Sequence, residues 1–272
     1  ENHDTRFYQH ELLAFAQALV QDASNLRFGP EVGVGKAKTD APIVTPWLNR
    51  VEAIARDLRS LPPSSTTNTT VHLADARDAI SVLRPNSVDA VFTSPPYPNE
   101  KDYTRTTRLE TVLLGFVKNK MELRNLKKTL VRSNTRSVYK ADNDDRWIDA
   151  QPEIQRIANE IEERRLALGK TSGFERQYNR VAKLYFGGMA RHFAALRKTL
   201  RPGAKLAYVV GDQASYLRVK IPTGQLLAAI AQSLGYEIRD IELFRTRQAT
   251  ATGEQLREEV VLLRWPGQKE SG

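Results

Sequence analysis

Apolar and polar positions divide this chain into helical and extended periods. Phe7 to Val20 carries Leu12, Leu13, Phe15, Ala16 and Leu19 at helical spacing, which predicts an amphipathic helix with a core-facing stripe. Pro46 to Leu61 predicts a second, with Thr45 as N-cap and Pro46 at the first helical position. Residues 62–70 are polar and unpatterned, a surface loop. Two short apolar runs follow: Val71 to Ala74, leading into Asp75, and Val88 to Phe92 after a Pro85-Asn86-Ser87 turn. Beyond a long charged stretch, Ile154 to Leu168 and Tyr178 to Leu200 read as helices, the second ending at Arg201-Pro202-Gly203. Lys205 to Val210 is a strand, Gly224 to Leu234 a helix stopped by Gly235, and Tyr236 to Leu243 a strand. Arg245 to Gly253 reads as a polar connection, and Glu259 to Trp265 as a last strand. Strands alternating with helices predict an α/β fold, and the final two strands with no helix between them predict an antiparallel hairpin.

Composition narrows the class. The 272 residues suit one α/β domain with a large insertion or two small domains, and a 40% hydrophobic fraction is enough for a core. No apolar run approaches the ~20 residues that cross a bilayer, and the N-terminus lacks a signal-peptide pattern. A soluble, cytoplasmic protein with no membrane association is therefore expected. Absent cysteines exclude disulfides and thiolate metal sites. A formal net charge of +9 and a pI near 9.7 favour a polyanionic partner.

The most informative stretch is Thr93-Ser94-Pro95-Pro96-Tyr97, directly after the Val88 to Phe92 strand. Ligands of open α/β sheets bind just beyond strand carboxyl ends. Two consecutive prolines fix φ and donate no N–H, leaving a stiff loop of outward carbonyls. Such a loop suits an exocyclic amine, whose hydrogens need acceptors while its nitrogen attacks an electrophilic methyl group. A tyrosine face beside it suits a base rotated out of its stack. Strand–Ser-Pro-Pro-Tyr resembles the catalytic motif of amino-methylating DNA methyltransferases, and the serine resembles the N4-cytosine branch.

That resemblance implies a Rossmann-like S-adenosylmethionine-dependent methyltransferase sheet, mostly parallel with a C-terminal antiparallel hairpin, plus a mainly helical insertion. It covers about residues 71–98 and 178–265. The implied division is 1–108 with the catalytic motif, 109–177 as a charged helical insertion and candidate target-recognition region, and 178–272 as the remainder of the catalytic domain. Ser94, Pro95 and Pro96 would orient the amine and Tyr97 would stack the base. Asp75 would accept from the donor's adenine amine, with Asp78 in reserve. Asp212, at a strand's carboxyl end, would line the pocket. A helix-capping role is the alternative for each of these acids. Carbon-5 methylation, which needs a cysteine nucleophile, is excluded.

The expected partner is DNA. Lys101, Arg105 and Arg108, interleaved with Tyr103, are candidates for phosphates beside the flipped nucleotide, and Arg132, Asn134 and Arg136 for target recognition; solvated basic faces are the alternative. Asp142-Asn143-Asp144-Asp145 lacks the glycine and terminal glutamate of a Ca²⁺ loop, so a turn and no metal is expected. His192 reads as a packed or surface residue. The family's glycine-rich donor loop is missing: either Phe28 to Lys36 is a degenerate version, or an upstream segment or second polypeptide supplies it. Glu1 at the start in place of methionine fits a truncated, processed or split enzyme. The competing readings are an N6-adenine enzyme, an RNA or protein amino-methyltransferase, and a non-catalytic DNA-binding subunit of a modification or defence complex.

Overall fold

The structure is a computed structural model, and it describes residues 6–28, 32–61, 67–99, 102–248, 253 and 255–267. The chain divides into two compact units, Glu1–Val71 with Tyr103–Lys127, and His72–Asp102 with Lys128–Gly272.

The first unit is helical with a small ribbon. Helix α1 (Tyr8–Ala18) buries Ala14, Ala16 and Ala18 and continues into a π-helical turn, Leu19–Ala23. Strands β1 (Leu26–Phe28) and β2 (Val32–Val34) pair antiparallel. Helix α2 (Val44–Ser60) is fixed to α1 where Trp47 Nε1 donates to the Glu11 carbonyl at 3.1 Å. It starts before the expected cap, so Thr45 lies inside it, and no side chain caps its start. Short helices α3 (Tyr103–Thr106), α4 (Arg108–Leu113) and α5 (Lys120–Lys128) complete this part.

The second unit holds the sheet. Strands β3 (Val88–Thr93), β4 (Leu200–Gly211), β5 (Glu237–Gln248) and β6 (Gln255–Arg264) lie in the order β3-β4-β6-β5. The β3/β4 pairing is parallel, with Thr93 opposite Tyr208; the β4/β6 and β5/β6 pairings are antiparallel. The sheet is thus mixed rather than mostly parallel among the described residues, because Val71 to Ala74 does not become a strand. Val71 and Leu73 are 90% and 96% exposed. An isolated extended segment has no ladder partner and no apolar face to cover it. The free side of β3 is likewise unpaired among the described residues, and Phe92 is 82% exposed there.

Helices α6 (Pro152–Ala167), α7 (Tyr178–Leu196) and α8 (Thr223–Ser233) belong to the same unit. Helix α7 links β3 to β4 in sequence and is almost wholly buried along one side. Aromatic rings join it to the sheet: Phe193 lies 5.0 Å from Tyr208 and 5.6 Å from Tyr236, which lies 5.1 Å from Trp265. The Tyr236 hydroxyl donates to the Phe193 carbonyl at 2.9 Å. Burial gives each such ring a large share of the core's stabilisation, and tilted geometry adds to it. The helix ends at Leu196, four residues earlier than its apolar period suggests, because Leu200 already pairs with Val88 in the sheet.

Gly187 is where α7 meets the segment Asp144–Ile148. A β-carbon there would stand 2.0 Å from the Asp144 carbonyl oxygen, so only glycine fits. No helix among the described residues is long and apolar enough to cross a membrane.

Gly187→Ala forces two backbones apart. It is expected to lower unfolding stability by about 3 kcal/mol, read from urea denaturation, whereas Gly173→Ala, with nothing within 4 Å of its added β-carbon, should stay close to the parent.

Candidate active site

The parallel ladder stops at Thr93, and the chain leaves the sheet as Ser94-Pro95-Pro96-Tyr97. Ser94 is exposed, while the two prolines and Tyr97 are half-buried and Pro98 is buried. Tyr97 folds back on the neighbouring strand end. A β-carbon on Gly211 would lie 2.9 Å from its Cε2, so the missing side chain of Gly211 makes the seat for the ring. Asn99 then turns the chain at φ +59°, a left-handed conformation that asparagine tolerates better than most residues. Tyr216, fully buried, receives the Asn99 backbone N–H on its hydroxyl, so the loop's far end is anchored to the core.

At residues 75–78 the capping role offered as the alternative for Asp75 is what the structure shows. Asp75 Oδ1 accepts from the backbone N–H of Arg77 at 2.9 Å and caps the short 3-10 helix Ala76–Ser81. Both its oxygens also accept from the Arg77 guanidinium, at 2.9 Å from Nε to Oδ1 and 2.6 Å from Nη2 to Oδ2. Burial opposes the charge on Asp75, but the Arg77 bonds outweigh it and hold the carboxyl below its ordinary value. Arg77 is itself buried, with Asp144 Oδ2 at 2.6 Å and the Lys128 carbonyl at 2.8 Å as further partners. Asp78 is exposed and bends the 3-10 helix at φ −134°, ψ 52°.

His192 of α7 is a packed residue. Its Nδ1 lies 2.7 Å from the Ala76 carbonyl and its Nε2 2.7 Å from the Tyr208 hydroxyl. A carbonyl can only accept, so Nδ1 carries the proton and Nε2 accepts from Tyr208. Burial keeps the imidazole below its ordinary range.

Asp212 is buried where β4 ends. It accepts backbone N–H groups of Thr223, at the start of α8, and Arg257, and Lys220 Nζ stands 3.9 Å away. Burial and the neighbouring Glu259 raise its pKa, and its Oδ1 has no hydrogen-bond partner among the described residues. Sequence reasoning missed this second acid, Glu259, because it falls inside an apolar strand and reads as a solvent-facing residue.

The candidate recognition residues separate. Arg132 is only 3% exposed. Its Nε and Nη2 both donate to Asp142 at 2.9 Å, its Nη1 and Nη2 donate to the carbonyls of Leu130 and Lys128, and its guanidinium lies over Tyr139. This correction has a simple cause: once the fold buries the guanidinium, its N–H groups need partners, and the half-buried Asp142 carboxylate and two carbonyls supply them. Asn134 Oδ1 accepts the Arg136 backbone N–H at 3.0 Å, and the Arg136 side chain is exposed. Arg105 and Arg108 lie in the first unit, where they donate to the carbonyls of Val32 and Thr104. Lys101 lies outside the described residues. Within the segment expected to be a turn, Asp142 and Asp144 are the carboxylate partners of two buried arginines, Asp144 also receiving Arg191 at 3.2 Å. No group of three or more His, Asp or Glu among the described residues is arranged to hold a metal.

No family model matches the chain. A curated relative, the Type II methyltransferase M.BsoBI of Geobacillus stearothermophilus, is 31% identical over 223 residues, which cover 76% of this chain and 43% of the relative. This chain is homologous to Type II methyltransferases. The M.AvaI enzymes of Nostoc sp. and Anabaena variabilis, of the same description, are each 29% identical over 167 residues, 60% of this chain and 34% of theirs. The match therefore spans less than half the length of each of these relatives. Among solved structures, a candidate DNA modification methylase of Thermus thermophilus superposes with a TM-score of only 0.35 at 15% identity, over 73% of this chain and 53% of that one.

The described residues do not by themselves build a cradle for a sulfonium donor. Residues 29–31 of the glycine-bearing stretch lie outside the described residues; its described flanks, β1 and β2, pair as an antiparallel ribbon, and both Asp75 oxygens accept from Arg77.

Arg132→Ala leaves Asp142 largely buried with its main partner gone. It should destabilise by about 3–5 kcal/mol, against about 0.5 kcal/mol or less for the exposed Arg136→Ala. Asp75 and Asp142 both have folded values below the ordinary 3.8. Their contribution is therefore fully present above pH 3.8 and lost as pH falls through the folded values. Urea midpoints measured from pH 6 down to pH 2 should show that fall, and Arg132→Ala should flatten it.

Proposed function

We propose that this chain is the base-holding part of a DNA methyltransferase that transfers a methyl group to an exocyclic base amine, cytosine N4 in the first instance. The observation that carries the reading is the Ser94 to Tyr97 loop, held at the carboxyl end of a strand with its tyrosine seated on Gly211. In that loop the Ser94 hydroxyl and the Pro95 carbonyl accept from the amine hydrogens and draw out the nitrogen lone pair. Pro96 stiffens the turn, and Tyr97 stacks on a base flipped from the duplex. Catalysis here is positioning and electrostatics, with no covalent intermediate.

The methyl donor is S-adenosylmethionine, whose contribution is an electrophilic methyl group. Asp212 is the acid best placed near the loop's strand to line a donor or base pocket, since it lies one residue beyond Gly211 and keeps an unpartnered oxygen. The donor cradle itself comes from another segment or a second polypeptide, added on the open side of β3. A related reading, favoured by the missing cradle, is that the chain alone binds DNA without transferring methyl groups.

The test combines the chain with the part of the Geobacillus relative that it does not match, then adds duplex DNA and radiolabelled S-adenosylmethionine. Label in N4-methylcytosine is expected, reduced about 10²-fold by Ser94→Ala. Label in N6-methyladenine would move the assignment to the other amine. No label in either nucleoside, while the duplex is still bound, would leave the non-catalytic reading standing.

A further inference from the structure

The sheet end that presents Tyr97 also presents an arginine that the sequence pattern hides in an apparent connection. Strand β5 runs on to Gln248, so Arg245 and Arg247 are strand residues, paired opposite Glu258 and Leu256. Glu258 also pairs with Gly211. Gly211, Glu258 and Arg245 therefore form one row across three strands, and Tyr97 rests on the Gly211 end of it.

Glu258 is buried, yet both arginines reach it. Arg245 Nε donates to its Oε2, and Arg247 Nε stands 3.6 Å from its Oε1 while Arg247 Nη2 donates to the Asp212 carbonyl at 2.8 Å. The Arg245 side chain is 65% exposed, and its two terminal nitrogens meet no acceptor among the described residues. A buried carboxylate thus grips the inner edge of this guanidinium and leaves the outer fork facing solvent, already oriented. A fork held in that way suits a tetrahedral oxyanion, which it can contact through two parallel N–H groups.

We propose that Arg245, steadied by Glu258 and Arg247, is a phosphate contact for the target strand, next to the nucleotide whose base Tyr97 receives. The inference rests on the reading that the Ser94 to Tyr97 loop holds a base of DNA. Phosphate contacts of this sort set register and orientation and carry no sequence information. They also make affinity steeply salt-dependent. The surface arginine Arg156 of α6 provides the contrast: its carboxylate partners Glu153 and Glu160 are exposed.

Duplex binding by the chain is measured by fluorescence anisotropy across a salt series for the parent, Arg245→Gln, Arg156→Gln and the double variant Arg245→Gln with Glu258→Gln, which avoids stranding the buried acid. The parent slope of log affinity on log salt should become shallower by about 0.9, the loss of one phosphate contact, in both Arg245 variants, and stay unchanged in Arg156→Gln. A parent that binds while both Arg245 variants keep its slope overturns this inference and leaves the base-holding reading intact. A parent that shows no salt-dependent binding overturns both.

Discussion

The site depends on five parallel pairings between β3 and β4, Val88 with Leu200 to Thr93 with Tyr208. Parallel strands need a crossover, and here α7 and the residues before it supply one. Tyr208 is the hinge of this arrangement. It faces Thr93 in the ladder, packs against Phe193, and donates a hydrogen bond from its hydroxyl to His192, whose Nδ1 donates in turn to the Ala76 carbonyl. One side chain thus fixes where the Ser94 loop leaves the sheet and where the Asp75 turn lies. The strand β4 continues past that point to Gly211, and the ring of Tyr97 needs that glycine's empty space. A strand register slipped by one residue would put a side chain under the ring and turn the row inside out.

Buried ion pairs decide the rest of the layout. Arg77 with Asp75 and Asp144, and Arg132 with Asp142, are closed networks in which nearly every donor has an acceptor. Removing both partners of such a pair in favour of apolar groups is often neutral, while removing one is costly. Their presence is therefore better understood as specifying one arrangement of polar loops than as a source of stability. They bind loops of low apolar content, residues 128–146, against α7, where side-chain hydrophobicity alone offers little purchase. Glycines 187 and 188 allow the close approach that this arrangement requires.

What the sequence made legible was what depends on local period and on stiff residues. The strand before Ser94, α7, β4 and α8 follow from apolar patterns and from proline and glycine stops, and the Ser-Pro-Pro-Tyr loop falls at a strand end as its context demands. What it hid depends on partners far along the chain. Arg132 reads as a surface cation because nothing in its neighbourhood announces that Asp142 folds back on it. Arg245 and Arg247 read as a connection because polar residues carry no extended period, yet ten pairings with β6 keep β5 extended to Gln248. Val71 to Ala74 shows the reverse error: a sound β-propensity cannot make a strand without a neighbour to share the ladder.

The same reasoning explains the exposed apolar groups beside the motif. Phe92 is exposed on the strand that leads into the Ser94 loop, and on its other side from β4 that strand pairs with no described strand. Folded proteins rarely leave a long apolar edge open, because it is a template for pairing. The open side of β3 and the exposed residues 71–74 thus share one cause: among the described residues neither has a strand partner with which to share a ladder.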